Sequence, residues 1–151
     1  MGRSLNIAFI KANWHADIVN QALMGFREAM EASGQPFTID VFDVPGAYEM
    51  PLLAKRLGKT GAVDAIVCAA LVVDGGIYRH DFVAQAVVSG LMQAQLETDI
   101  PTYSVSLTPH NFQPAEEFID FYQGHFVKKG AEAANAVLTM AKLEARIDDL
   151  Q

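Results

Sequence analysis

The stretch Ala65–Asp81, AIVCAALVVDGGIYRHD, constrains the fold of this chain more than any other. Its unbroken apolar run from Ala65 to Val73 is far shorter than the about 20 residues of a membrane-spanning helix, but it suits a strand buried on both faces. Such a strand belongs in a parallel sheet whose crossover helices cover both sides. Gly75 and Gly76 end the run, and with no Cβ they let the main chain turn sharply and come close to a ligand. Arg79, His80 and Asp81 follow at the predicted start of a helix, where free N–H groups and the positive end of the helix dipole favour a bound anion. Strand, glycine turn and helix start together predict an anion pocket.

The rest of the chain repeats this alternation. Leu5–Lys11 reads as a strand, and Ala16–Ser33 places Ile18, Val19, Ala22, Leu23, Phe26 and Met30 at helical spacing before Gly34. Phe37–Val44 alternates apolar Phe37, Ile39 and Val41 with polar residues, stops at Pro45-Gly46, and leads into a short helical stretch ending near Gly58. Beyond the apolar run, Val83, Val87, Leu91 and Ala94 mark one face of a third helix. Thr102–Leu107 supplies a fourth strand, and Lys128–Ile147 a fourth helix. Pro109–Gly124 breaks the rhythm with prolines and aromatics, and reads as a long loop or a short extra helix. Four strand-helix units predict an α/β three-layer sandwich, a mainly parallel four-stranded sheet flanked by helices, in a flavodoxin-like architecture. Residues 1–151 read as a single domain with no linker.

Composition narrows the function. Eleven basic against eighteen acidic residues leave a formal charge of −7, and no local basic cluster offsets it, which argues against a nucleic-acid partner. Cys68, the single cysteine, lies inside the apolar run and reads as a buried structural thiol; a reducing, cytoplasmic setting fits. The opening MGRSLN does not read as a secretory signal, and Asn6 stands where a myristoylation motif wants Ser or Thr, so no membrane attachment is expected. His15, His80, His110 and His125 show no familiar metal spacing, and G-x-G-x-x-G is absent, so neither a metal nor a dinucleotide cofactor is expected.

In such a sheet, ligands gather outside the carboxyl ends of the strands. Those ends carry Trp14, the only tryptophan; Glu49, after Pro45-Gly46 at a helix start; the Val72–Asp81 junction; and the segment from Ser104 to His110. An aromatic ring at a pocket rim can stack on a heterocycle, although a tryptophan can equally seal a sheet edge or a subunit contact. A carboxylate at a helix start interacts favourably with the dipole even without a ligand.

Taken together, NWHADIV after the first strand, DVPGAYEMPL after the second and LVVDGGIYRHDFV after the third closely resemble lumazine synthase, nearly end to end. DGGIYRHDFV is similar to that family's divergent second bacterial type. The resemblance implies condensation of 5-amino-6-(D-ribitylamino)uracil with 3,4-dihydroxy-2-butanone 4-phosphate to 6,7-dimethyl-8-ribityllumazine, in riboflavin biosynthesis, with no cofactor. It implies that Trp14 stacks on the pyrimidine, that Ala47, Tyr48 and Glu49 hold the ribityl chain and ring, and that the main chain of Leu71, Val72 and Val73 reads the pyrimidine edge. By the same resemblance Gly76 and Ile77 form the phosphate-side turn, and Ser104 lines the ring pocket. Self-association as a pentamer or a pair of pentamers, with sites shared between neighbours, is likewise implied.

Two departures from the family pattern matter. Most members carry a proton-moving histidine where Arg79 stands, and arginine stays charged and cannot act as a general base near neutral pH. The family's phosphate-binding arginine of the last loop is missing, and His125 lies near its place. An exchange of roles follows: Arg79, with His125 nearby, binds phosphate, while His80 or His125 relays protons. The competing readings are a flavodoxin-like or receiver-type binding module, whose marker residues are absent, and a ribityl-lumazine or flavin carrier with weak catalysis.

Overall fold

The computed structural model describes residues 2–73, 80–107 and 116–151. Strands and helices alternate: β1 (Leu5–Ala12), α1 (Ala16–Ser33), β2 (Phe37–Val44), α2 (Met50–Lys59), β3 (Ala65–Leu71), α3 (His80–Thr98), β4 (Thr102–Leu107) and α4 (Glu116–Asp148). A single 3-10 turn, Ala47–Glu49, precedes α2. The sheet runs β2-β1-β3-β4 and every pairing in it is parallel. The expected flavodoxin-like sandwich is therefore the observed architecture.

The apolar run explains why β3 sits inside. All of its residues are buried; Ala65, Val67, Ala69 and Leu71 face the core shared with α1 and α4, while Ile66, Cys68 and Ala70 face the one shared with α2 and α3. Cys68 is a free, fully buried thiol whose pKa is driven up by burial, which keeps it protonated and unreactive. Edge strand β2 is less regular than its alternation predicts. Phe37 and Ile39 pack on the α1/α4 core and Phe42 on the opposite one, but Val41 is 37% exposed, because an edge strand has a covering helix over only part of its length.

On one side of the sheet α1 and α4 cross at their main chains. A Cβ added to Gly25 would stand 2.0 Å from the Val127 carbonyl oxygen, and one added to Gly130 would stand 2.0 Å from that of Ala22. Two glycines therefore set how closely these helices approach. Helix α4 also begins earlier than the expected Lys128. It includes the second half of the Pro109–Gly124 segment, because Ile119, Tyr122 and Phe126 continue the stripe of Ala133, Ala134 and Val137 toward the core. Gly124 interrupts propensity but not that stripe. Among the described residues no helix is long and apolar enough to cross a membrane.

Candidate active site at the carboxyl ends of the strands

Parallel strands bring all four carboxyl ends to one edge. The strand order reverses between β1 and β3, so the chain leaves these two central strands in opposite directions and opens a crevice between their ends. Trp14 projects at the end of β1 and is 46% exposed. His15 follows with φ 56 and ψ 47, and its carbonyl accepts the Ile18 N–H (3.0 Å) and the Val19 N–H (3.1 Å), which fixes the start of α1.

The end of β2 is tied to the same loop. Asn13 donates its N–H to the Val44 carbonyl at 2.8 Å, joining the Trp14 loop to the turn that carries Ala47, Tyr48 and Glu49. In that turn Gly46 donates its N–H to Glu49 Oε2 at 3.0 Å, and the Glu49 N–H donates to the Gly46 carbonyl at 3.3 Å. Glu49 is exposed, and a carboxylate accepts several hydrogen bonds, so this cap leaves it capacity for hydroxyl donors. Tyr48 is 73% exposed, whereas Ala47 is buried beneath the turn. Lys11, mostly buried at the end of β1, forms an ion pair with Asp43, its register partner on β2. Its charge is matched within the sheet.

At the end of β3, Leu71, Val72 and Val73 keep their side chains in the core, so what they can offer a ligand is main chain. On β4, Ser104 pairs with Cys68, well before the Leu71–Leu107 rung. Its exposed side chain stands at the sheet's edge and accepts the Ser106 N–H at 3.3 Å. On the other side α4 carries an aromatic cluster: His125 stacks on Phe121 with centroids 5.7 Å apart and planes at 11°, and Tyr122 meets Phe121 edge-on at 5.0 Å. Tyr122 packs against the core, while Phe121 is 62% exposed.

Comparison with known proteins shows the family. The model of the 6,7-dimethyl-8-ribityllumazine synthase family matches residues 4–145. The chain belongs to that family. The 6,7-dimethyl-8-ribityllumazine synthase of Rhodococcus erythropolis is 59% identical over 141 residues, covering 92% of this chain and 91% of that protein. The 6,7-dimethyl-8-ribityllumazine synthase 2 of Pseudomonas syringae pv. tomato is 53% identical over 148 residues, covering 93% and 87%. A synthase 2 of Bradyrhizobium diazoefficiens is 45% identical over 145 residues, covering 93% and 87%. Resemblance to the second type is thus matched by relatives that carry that name.

Within this family member the structure brings Trp14, Ala47, Tyr48, Glu49 and Leu71–Val73 to one edge of the sheet. His80 is the first residue of α3. Gly76, Ile77 and Arg79 lie outside the described residues. Among the described residues of one chain, the rings that His125 contacts are Phe121 and Tyr122, not Trp14. Among the described residues no group of His, Cys, Asp and Glu is placed to hold a metal ion. One feature escapes sequence reasoning: the left-handed backbone of His15, for which glycine or asparagine would have been the usual sign.

Proposed function

We propose that the chain, as a single domain, joins 5-amino-6-(D-ribitylamino)uracil to 3,4-dihydroxy-2-butanone 4-phosphate at this edge. The products are 6,7-dimethyl-8-ribityllumazine, inorganic phosphate and water. What carries this reading is the convergence of an exposed aromatic (Trp14), an exposed carboxylate (Glu49) and the main chain of Leu71–Val73 in a member of this family. Trp14 supplies a flat apolar face, and stacking of a base-like ring on such a face is worth about 1–3 kcal/mol. Glu49 accepts hydrogen bonds from ribityl hydroxyls, with Ala47 and Tyr48 shaping the turn around them, and the main chain of Leu71, Val72 and Val73 pairs with the pyrimidine edge. Ser104, exposed on β4, is assigned to the lining of the ring pocket.

The second substrate is an anion, and Gly76 and Ile77 are assigned to the turn that receives its phosphate. Arg79 holds this charge before and during departure, because its guanidinium is cationic at every working pH. His125 stands by as a second phosphate contact. Attack of the 5-amino group on the ketone with loss of water to an imine, elimination of phosphate, and ring closure with loss of a second water need modest proton transfers, assigned to His80 or His125. Much of the acceleration comes from holding two substrates together. Neither cofactor nor metal has a part in these steps. Assembly as a pentamer or a pair of pentamers in the cytoplasm completes the proposal, with His125 of one copy facing Trp14 of the next.

Incubation of purified protein with both substrates tests this reading. It predicts fluorescent lumazine and an equal amount of inorganic phosphate on repeated turnover. Tight binding of ribityllumazine without turnover would instead make the protein a carrier.

A further inference from the structure

His15 is one of two non-glycine residues with positive φ among those described, and it stands beside the crevice. The other, Asp99, follows the end of α3. A left-handed backbone is costly for a residue with a Cβ and persists where the surroundings fix it. Here the His15 carbonyl is held by two N–H groups of the first turn of α1. The value of φ is a rotation about the His15 N–Cα bond, so its sign decides on which side of the chain the imidazole stands relative to Trp14. In an extended continuation of β1 the two side chains would point to opposite faces. With φ 56 they stand together, ring centroids 5.6 Å apart and planes at 33°, within the range of favourable aromatic pairs. Trp14 has no helix or strand of its own to lock its rotamer, and nearly half of it is open to solvent.

We propose that His15 is a positioning residue for the indole of Trp14: its left-handed backbone and its ring together hold the indole at the angle that receives the pyrimidine. The inference rests on the reading of Trp14 as the stacking platform. Binding then finds an aromatic face already ordered, and the conformational freedom of an exposed tryptophan is not lost at that moment.

Three variants and two readouts test it. His15→Asn keeps a residue that tolerates the left-handed region but removes the ring, His15→Tyr keeps a ring, and Trp14→Ala removes the platform. Trp14 is the only tryptophan, so the fluorescence anisotropy decay of the ligand-free protein reports its motion alone. His15→Asn is expected to melt at the wild-type temperature and to give a faster anisotropy decay. Its KM for the ribitylaminouracil should rise about two- to ten-fold, the range of one aromatic pair, with KM for the butanone phosphate unchanged. His15→Tyr should recover most of both effects. Wild-type anisotropy in His15→Asn, or an equal rise in KM for both substrates, overturns the inference. Failure of the underlying reading looks different: Trp14→Ala would then leave KM for the ribitylaminouracil unaltered, while the anisotropy of His15→Asn still judges whether His15 holds the ring.

Discussion

Replacement of Gly25 by alanine should weaken the protein sharply, although the same change in most helices strengthens them. In a helix interior alanine is favoured over glycine by about 1 kcal/mol. At Gly25, however, the new Cβ would lie 2.0 Å from the Val127 carbonyl oxygen and 2.8 Å from its carbon, against the 3.4 Å at which ordinary contact begins. Both obstacles are main chain of α4 and cannot swing aside as a side chain could. The helices must part by more than an ångström, and that loosens the packing around Phe26 and Phe126, both fully buried. Overpacking of this kind costs about 1–3 kcal/mol, and the rigid obstacle puts Gly25 at the upper end. A cost of about 3 kcal/mol against a gain of about 1 leaves a net loss of about 2. That corresponds to a fall of about 4–8 °C in Tm for a chain of this size. Gly124, in the same helix α4, is the internal control. A Cβ there meets nothing within 4 Å, so Gly124→Ala should be neutral or raise Tm by about 2–4 °C. Thermal unfolding of both variants at one fixed protein concentration decides the matter. A Gly25→Ala protein as stable as wild type would show that the two helices do not cross at their main chains.

Other expectations are more local. Arg79→Ala should raise KM for the butanone phosphate about ten- to hundred-fold, the loss of a charge-assisted contact, with a smaller effect on the ribitylaminouracil; equal weakening of both counts against the anion role. If His80 or His125 relays protons, the pH–rate profile changes in His80→Ala or in His125→Ala, and an unchanged profile in both removes the histidine relay. Burial, reinforced by the nearby Glu144 charge, pushes the Tyr103 hydroxyl from 10.0 up to about 12. The unfolded chain then gives up that proton more readily than the folded one, so this contribution to stability is intact below about pH 10 and is lost as pH rises toward 12. Ultraviolet titration of tyrosinate should show a late-titrating component that Tyr103→Phe removes; a Tyr103→Phe curve with the same late component would refute the assignment.

Where the amino-acid pattern has one physical interpretation, the fold is legible in it. A run as apolar as Ala65–Val73 can only be covered on both sides, and that places β3 in the middle of a parallel sheet before any neighbour is known. The stripe Val87, Leu91 and Ala94 names the buried face of α3 for the same reason. Misreadings arise where local and tertiary signals compete. Gly124 and the two preceding prolines argue locally against a helix, yet with Tyr122 and Phe126 packed on the core α4 extends back to Glu116. Val41 fits the alternation of a half-buried strand but lies on an edge, which periodicity does not reveal. In the site, residue types alone indicate an aromatic face, a carboxylate and an anion turn at the strand ends, but not the substrates. Those come with the motifs around VPGAYE and DGGIYRHD. The ties between loops, such as the Asn13 N–H to the Val44 carbonyl, depend on register and are visible only once the strands are paired.

On the proposed function, the ring-binding site lies in the crevice at the end of β1, against Trp14. Titration of the purified protein with 6,7-dimethyl-8-ribityllumazine, following Trp14 emission corrected for absorption by the ligand, tests it most directly. Saturable quenching that reaches its plateau at one ligand per chain is the predicted result. Binding of the lumazine, measured in parallel by calorimetry, with Trp14 emission unchanged would place the ring elsewhere and contradict the account.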